Sequence, residues 1–574
     1  MTDKLAPLEQ LKVNSNYLRG TIQEGLDNPL TGAISEQDNL LLKFHGSYQQ
    51  DNRDLRDERR KQKLEPAHSF MVRARLPGGV ITPEQWLIFD QIATDYAEFG
   101  LRITTRQTFQ WHGVLKRNLK KLMQGINRAH ATTIAACGDV NRQVVSVSNP
   151  LLSKHHAAVL DWAQKISDYF LPATNAYAEI WLDDKKVDEL TSKTPSLEPT
   201  EVEPIYGQRY LPRKFKIGLT IPPTNDVDVF AQDMGFIAIV ENDELIGFNL
   251  TIGGGMGCTH GDDTTYARLG SVVGFVGLDD VMAAAEAVIT LQRDHGNRAE
   301  RRYARFKYTV DQYGVDWFKE QIESRAGITL HAPKAWQFDT NGDRFGWVEG
   351  ENGQWHLGLR IDSGRLMDRP GSPLLTGMRE IAKMHKGHFR LTCNQNLIIA
   401  DVAPEDRAAI DALVEAYRLD GYKAQSGIWR NTIACVSLPT CALGMAESER
   451  YAPIILPKLN QLLEKYDLLD QDIVFRISGC PNGCARPYMA EISLVGRAPG
   501  RYDLRLGGDR LGERLNTVYK TNIAEEEILS SLDALFARFA TERLENEHFG
   551  DFLIRTEAIA APTQRQIPIV LELV

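Results

Sequence analysis

Leu101–Phe109 reads LRITTRQTF and Phe389–Leu397 reads FRLTCNQNL. Aligned on Thr104 and Thr392 the two strings stand 288 residues apart, and the same offset separates Arg142 in VNRQVVSVS from Arg430 in IWRNTIACVS. Upstream, Arg73 precedes Arg102 by 29 residues and Arg360 precedes Arg390 by 30, in similarly strand-like surroundings. Further on, KFKIGLT and FNLTIGGGMG have weak counterparts in VFRISGC and YDLRLGGDRLG. A shared order and offset read as an internal duplication, and two copies rather than many argue against a solenoid. The expectation is two related halves facing each other across a pseudo-twofold interface, with a site there that draws on both.

Around these strings, strand-like runs alternate with helical periodicity. Val159, Trp162, Ala163, Ile166 and Phe170 fall at helical spacing, as do Ile528, Leu532, Leu535, Phe536 and Phe539, and the second set follows Glu525, Glu526 and Glu527, acids where a helix amino terminus is positive. A charged stretch from Asp51 to Glu65 reads as an exposed arm leading into the first strand, and a polar break from Asp183 to Pro204 reads as a surface loop. The 574 residues are 43% hydrophobic and 25% charged, which is the composition of a globular protein with room for an internal cavity. A formal charge of -10 argues against nucleic acid or an anionic membrane as partner, so any anion site is local. No signal pattern or membrane-length apolar run is visible, which points to a cytoplasmic protein.

Seven cysteines, an odd count, suggest thiols, ligands or catalysis rather than a disulfide framework. Cys435, Cys441, Cys480 and Cys484 crowd into fifty residues as C-x5-C and C-x3-C, a full ligand set for an iron–sulfur cluster or a structural zinc. Zinc knuckles favour tight x2 spacing, whereas a cubane tolerates wider and unequal gaps. Pro481, Asn482 and Gly483 favour a turn whose N–H groups point at sulfur. Cys137, Cys258 and Cys393 read as small buried residues.

CVSLPTC and SGCPNGC, preceded in order by RARLPGG, RITTRQTFQWHG, VNRQV, LPRKFK and IGGGMG, resemble the siroheme-containing sulfite and nitrite reductases over nearly the whole chain. NSNYLRG and KFHGSYQQDNRD are similar to the hemoprotein (beta) subunits of the assimilatory, NADPH-linked branch. The resemblance implies an α+β fold, internally duplicated, with a ferredoxin-like domain built from both halves and two α/β domains sandwiching siroheme. It divides the chain into an arm at 1–66, ferredoxin-like halves at 67–135 and 336–425, a first siroheme and substrate domain at 136–335, and a cluster and siroheme domain at 426–574. It implies that Cys435, Cys441, Cys480 and Cys484 hold a [4Fe-4S] cluster, with Cys484 also the axial bridge to siroheme. The implied reaction is the six-electron reduction of sulfite to sulfide for cysteine biosynthesis, with electrons from an NADPH-oxidising FAD/FMN flavoprotein (alpha) subunit. The alternatives are a siroheme nitrite reductase, a ferredoxin-dependent sulfite reductase or, outside enzymes, a zinc-stapled binding protein.

An acidic chain that binds a polycarboxylate and a dianion must gather cations locally. In LPRKFKIG, strand alternation puts Lys214 and Lys216 on one face and Phe215 on the other, and Arg73 and Arg75 share the same spacing. The resemblance assigns Arg73, Arg142, Lys214 and Lys216 to substrate, and Arg102, Arg106, Gln110 and His112 to the neighbourhood of the haem carboxylates. At the duplicated positions of the last three stand Asn394, Ile398 and Ala400, so only the first copy carries polar chemistry there. The run Gly253, Gly254, Gly255 and Gly257 lacks the dinucleotide pattern G-x-G-x-x-G and reads as a haem contact or a tight turn, not an NADPH site.

Overall fold

A computed structural model describes residues 5–148, 153–182 and 203–562. Most of the expected polar break lies at 183–202, outside the described residues.

The two quoted strings form the same object twice. Leu101–Ile103 and Phe109–Val114 make one antiparallel hairpin, and His388–Leu391 and Leu397–Val402 make the other. In the first turn the Thr104 N–H donates to Thr108 O at 2.9 Å, and in the second the Thr392 N–H donates to Asn396 O at 3.0 Å. Gln107 and Gln395 take the same left-handed backbone, at φ 51° and 67°.

Each hairpin sits in a five-stranded antiparallel sheet. The first runs Ser47–Asp51, His68–Arg73, Phe109–Val114, Leu101–Ile103, Arg365–Leu366, and the second runs Gly346–Glu349, Trp355–Leu359, Leu397–Val402, His388–Leu391, Val80–Ile81. The last strand of each sheet comes from the other half: Arg365 pairs with Arg102, and Val80 with Arg390. Helices Pro83–Tyr96 and Leu374–Met384 pack together. The former is fixed at its start by a capping box, in which the Thr82 hydroxyl accepts from the Gln85 N–H and the Gln85 amide accepts from the Thr82 N–H. Its Trp86 is fully buried between Phe109 of one copy and Phe389 of the other, with ring centroids at 5.5 and 4.8 Å. Trp86→Ala should therefore cost about 3–5 kcal/mol and lower the urea midpoint of both halves together; a midpoint shift in one half alone would contradict this shared core.

Two further sheets repeat one another. Ile217–Thr220, Met234–Glu241, Glu244–Ile252 and Ser271–Gly277 pair parallel, antiparallel and antiparallel, as do Phe475–Ser478, Ile492–Ala498, Arg501–Leu506 and Thr517–Ile523. A parallel neighbour precedes each: Thr432–Ala434 beside Phe475–Ser478, and Val145 bridged to Gly218. KFKIGLT and VFRISGC therefore hold equivalent strands, with the pairing register matching Gly218 to Arg476.

The two amphipathic patterns are helices Lys154–Tyr169 and Glu525–Glu542, each with its apolar face buried, and Trp162 half-buried. Of the charged stretch, Arg56–Lys61 is an exposed helix, whereas Ser47–Asp51 just ahead of it pairs along His68–Arg73 and brings Tyr48 and Gln50 inward. Among the described residues no helix is long and apolar enough to cross a membrane.

Candidate active site

Cys435 follows the parallel strand Thr432–Ala434, Cys441 lies in the loop beyond it, and Cys480 and Cys484 bracket the turn after Phe475–Ser478. All four line one cavity of about 120 Å³, together with Tyr48, Gln50, Arg73, Arg102, Thr105, Gln110 and His112 of the first sheet and its turn. Gly479 packs so closely that a Cβ there would stand 2.5 Å from the Ala446 carbonyl, and its N–H donates to Cys435 Sγ at 3.3 Å. The Asn482 amide points at Cys480 Sγ at 3.7 Å. Burial, reinforced by Cys484, pushes the Cys435 and Cys480 thiols up to about 12. Four thiolates lining one cavity therefore need strong positive charge among them. Among the described residues no three metal-ligating side chains converge at single-ion distance. Four cysteines on one cavity are nonetheless the full donor set that a [4Fe-4S] cluster takes.

Beside the thiols stands a concentration of cations. Arg73 donates to Cys137 Sγ at 2.6 Å and, with the Gln110 amide oxygen turned toward it, to that oxygen at 3.3 Å. Arg142 grips the Ala136 carbonyl at 2.9 and 3.0 Å. Arg106 donates to Gln232 Oε1 at 2.8 Å and to the Gln143 and Ile217 carbonyls, leaving its buried Nε without a partner. Both polar atoms of the Asn141 amide are also buried and unpartnered. Phe215 is packed in the core against Phe306, as alternation required. Burial, then Arg305 and Lys216, hold Lys214 well below the usual ammonium range, and burial, then Arg106 and Arg305, bring Lys216 down to about 7. Among the described residues none of Arg73, Arg106, Arg142, Lys214 and Lys216 has a carboxylate within ion-pair distance. The Asp233 carboxylate accepts the Lys216 backbone N–H at 2.9 Å. Mutually repelling cations and orphaned polar atoms fit a large polyanion such as a polycarboxylate tetrapyrrole.

The second copy shows the contrast. Arg430, the counterpart of Arg142, faces Asp472 at 3.7 Å, and Arg476, whose pairing with Ile433 repeats that of Gly218 with Val145, faces Asp228 at 2.7 Å. At these two positions of the second copy a carboxylate faces the cation.

Arg102 lines the thiol cavity, but its guanidinium is committed to Glu449 Oε2 at 3.0 Å and the Ala434 carbonyl at 2.8 Å. Arg365, from the exchanged strand, clamps the same Glu449 at 2.7 and 2.9 Å. Burial alone would raise the Glu449 carboxyl, yet Arg365 and Arg102 outweigh it and hold the group below its usual range. Glu449→Gln would leave two enclosed guanidiniums short of their counter-charge, at about 3–5 kcal/mol. The wild type should keep this contribution at neutral pH and lose it as acid protonates Glu449 below its lowered pKa, so denaturation midpoints of the two proteins should converge there.

His112 is buried, lies 3.2 Å from Gln50 Oε1, and is kept neutral by burial and then by Arg365, Arg102 and Arg73. The glycine run is a tight packing loop: a Cβ on Gly257 would stand 2.5 Å from the Arg305 guanidinium, and the Cys258 N–H donates to Pro481 O at 2.9 Å. This loop of the first half presses on the Cys480–Cys484 turn of the second. Cys137 and Cys393 are buried as expected, while Cys258, on the loop, is only half-buried. Sequence reasoning overlooked Tyr48, Thr105, Asp233, Arg305 and Arg486. Arg305 sits in a visibly basic run, RRYARFKY, and Thr105 lies inside the duplicated string itself.

Residues 62–129 and 348–417 each match the nitrite/sulfite reductase ferredoxin-like half domain, and 161–330 match the nitrite and sulphite reductase 4Fe-4S domain. The four clustered cysteines lie outside that last segment. The sulfite reductase (NADPH) hemoprotein beta-component of Oceanobacillus iheyensis is 55% identical over 96% of this chain and 94% of its own. That of Xylella fastidiosa strain M23 is 56% identical over 97% and 96%, and that of Myxococcus xanthus 53% over 98% and 99%. The solved Mycobacterium tuberculosis NirA protein superposes with a TM-score of 0.77 at 24% identity, covering 96% of this chain and 97% of its own, which is a likeness of fold.

Proposed function

This chain belongs to the nitrite and sulfite reductase family, and from that premise we propose that it reduces sulfite to sulfide by six electrons at a siroheme coupled to a [4Fe-4S] cluster. The observation that carries the reading is one cavity lined by all four clustered cysteines of the second half and by Arg73 and Gln110 of the first, with Arg142 electrostatically next to Cys484 and Lys214 and Lys216 next to Arg142. Cys435, Cys441, Cys480 and Cys484 would hold the cluster. Cys484, the exposed one of the four and a charge neighbour of Arg73 and Arg142, would face the siroheme. When bound, this pair supplies electrons to the substrate sulfur.

Arg73 and Arg142 converge on one spot beside Cys137 and would orient the dianion through paired N–H donors. Lys214 and Lys216, crowded by guanidiniums, hold their protons loosely and would release them as S–O bonds break. Arg106, with its unused Nε, and Gln110 would face the carboxylates of the tetrapyrrole, while Arg102 and neutral His112 brace the cavity wall. Electrons would come from a separate NADPH-oxidising flavoprotein, the alpha subunit implied by the beta-component relatives. A cytoplasmic setting accords with thiols that must stay reduced.

The deciding experiment is the visible spectrum of the purified protein before and after sulfite is added to the reduced form, with iron and acid-labile sulfide assayed alongside. A siroheme spectrum that shifts with sulfite, with iron in excess of haem, is expected. A zinc-containing, colourless protein that reconstitution cannot convert, or kcat/KM strongly favouring nitrite, would overturn the reading.

A further inference from the structure

Arg486 stands two residues beyond Cys484 with a left-handed backbone, φ 51°, and its side chain is almost wholly enclosed. Its Nη1 donates to the Thr105 carbonyl at 3.2 Å and its Nη2 to the Cys393 carbonyl at 3.1 Å. Thr105 and Cys393 are themselves 288 residues apart, so one guanidinium holds the equivalent carbonyls of the two duplicated turns. The Nε donates to Asp228 Oδ2 at 2.5 Å, and Arg476, which shares that carboxylate, also donates to the Arg486 carbonyl at 3.2 Å. The Thr105 hydroxyl closes the circuit by donating to the Cys484 carbonyl at 3.0 Å.

We infer that Arg486 is a positioning residue that sits at the pseudo-twofold junction and, with Thr105, fixes the backbone of Cys484 to both halves at once. The inference rests on the reading of Cys484 as the thiolate facing the siroheme. A planar guanidinium reaches two carbonyls and a carboxylate simultaneously; a lysine ammonium in its place does not. Relative movement of the halves then translates directly into movement of the coordinating sulfur, which makes the electronic contact between cluster and haem dependent on this one side chain.

The test uses purified holoenzyme of the wild type and of Arg486→Lys, Thr105→Val and Thr105→Ser. Iron and siroheme per chain, the visible band positions and the midpoint potentials are measured alongside kcat and KM. Arg486→Lys and Thr105→Val should retain both cofactors, shift bands and potentials, and lower kcat by about tenfold or more with KM for sulfite little changed, as a misplaced reacting group does. Thr105→Ser, which keeps the hydroxyl, should restore wild-type values. Wild-type bands and potentials in either Arg486→Lys or Thr105→Val would overturn the inference while leaving the cofactor reading intact. Should Arg486→Lys fail to fold, Thr105→Val alone decides. A wild-type protein whose cluster and haem titrate as uncoupled centres would bring down the Cys484 reading and this inference together.

Discussion

Replacing Cys484 with serine should abolish sulfite reduction, by at least about a thousandfold, the scale on which loss of an indispensable group is felt, and should remove the coupled spectrum of cluster and haem. The other three thiols have partners on the protein side. Cys435 receives the Gly479 N–H, Cys480 receives the Asn482 amide, and the Cys441 thiol receives the backbone N–H groups of Leu443 and Gly444. Cys484 instead opens toward Arg73, Arg142 and Tyr48, all of which register its charge. A hydroxyl there offers a poor ligand to iron at neutral pH, so iron per chain should fall as well. Iron, acid-labile sulfide and siroheme assays on the variant check this; a serine variant that kept both cofactors and turned over would refute the bridging role.

Lys214→Met and Lys216→Met should have the opposite profile, with siroheme and iron retained and kcat reduced by about 10²–10⁴-fold, the range for a lost proton donor. Methionine keeps the buried volume of the stem and removes charge and protons. The pH dependence adds a sign. Lys216 is held near 7, so its donating form prevails below that value and disappears as pH rises through it. The wild-type rate should fall on the alkaline side, and Lys216→Met should be slow and flat across the same range in a stopped-flow or steady-state profile. Loss of siroheme from either variant would mean that the lysines serve the tetrapyrrole carboxylates and not the substrate.

Much of this architecture was legible because it is written twice. LRITTRQTF and FRLTCNQNL predict matching hairpins, and the hairpins match down to the left-handed Gln107 and Gln395. The thiol quartet was legible from spacing, because a cluster needs four sulfurs and little else nearby in sequence. Long-range pairing was not legible. Nothing local in RLMD says that Arg365–Leu366 leaves its own half, since a two-residue strand carries no periodicity. Arg102 reads as one more free cation until Glu449, 347 residues away, is seen to occupy it. Arg486 was hidden for a related reason: its role depends on two carbonyls, and backbone acceptors leave no trace in side-chain patterns.

The reciprocal exchange of edge strands has a consequence for the handling of the molecule. Val80–Ile81 completes the sheet of the second half and Arg365–Leu366 completes that of the first, so neither half closes its own hydrogen-bond ladder. A single copy set free would carry one bare sheet margin and one orphaned strand, which is the inventory of a subunit that trades arms with its twin. Because both copies lie in one chain, this exchange of strands is an intramolecular event at the high effective concentration of a tethered pair. Cut between the halves, the modern protein should behave as two mutually dependent fragments: each aggregation-prone alone, and recoverable when the two are produced side by side.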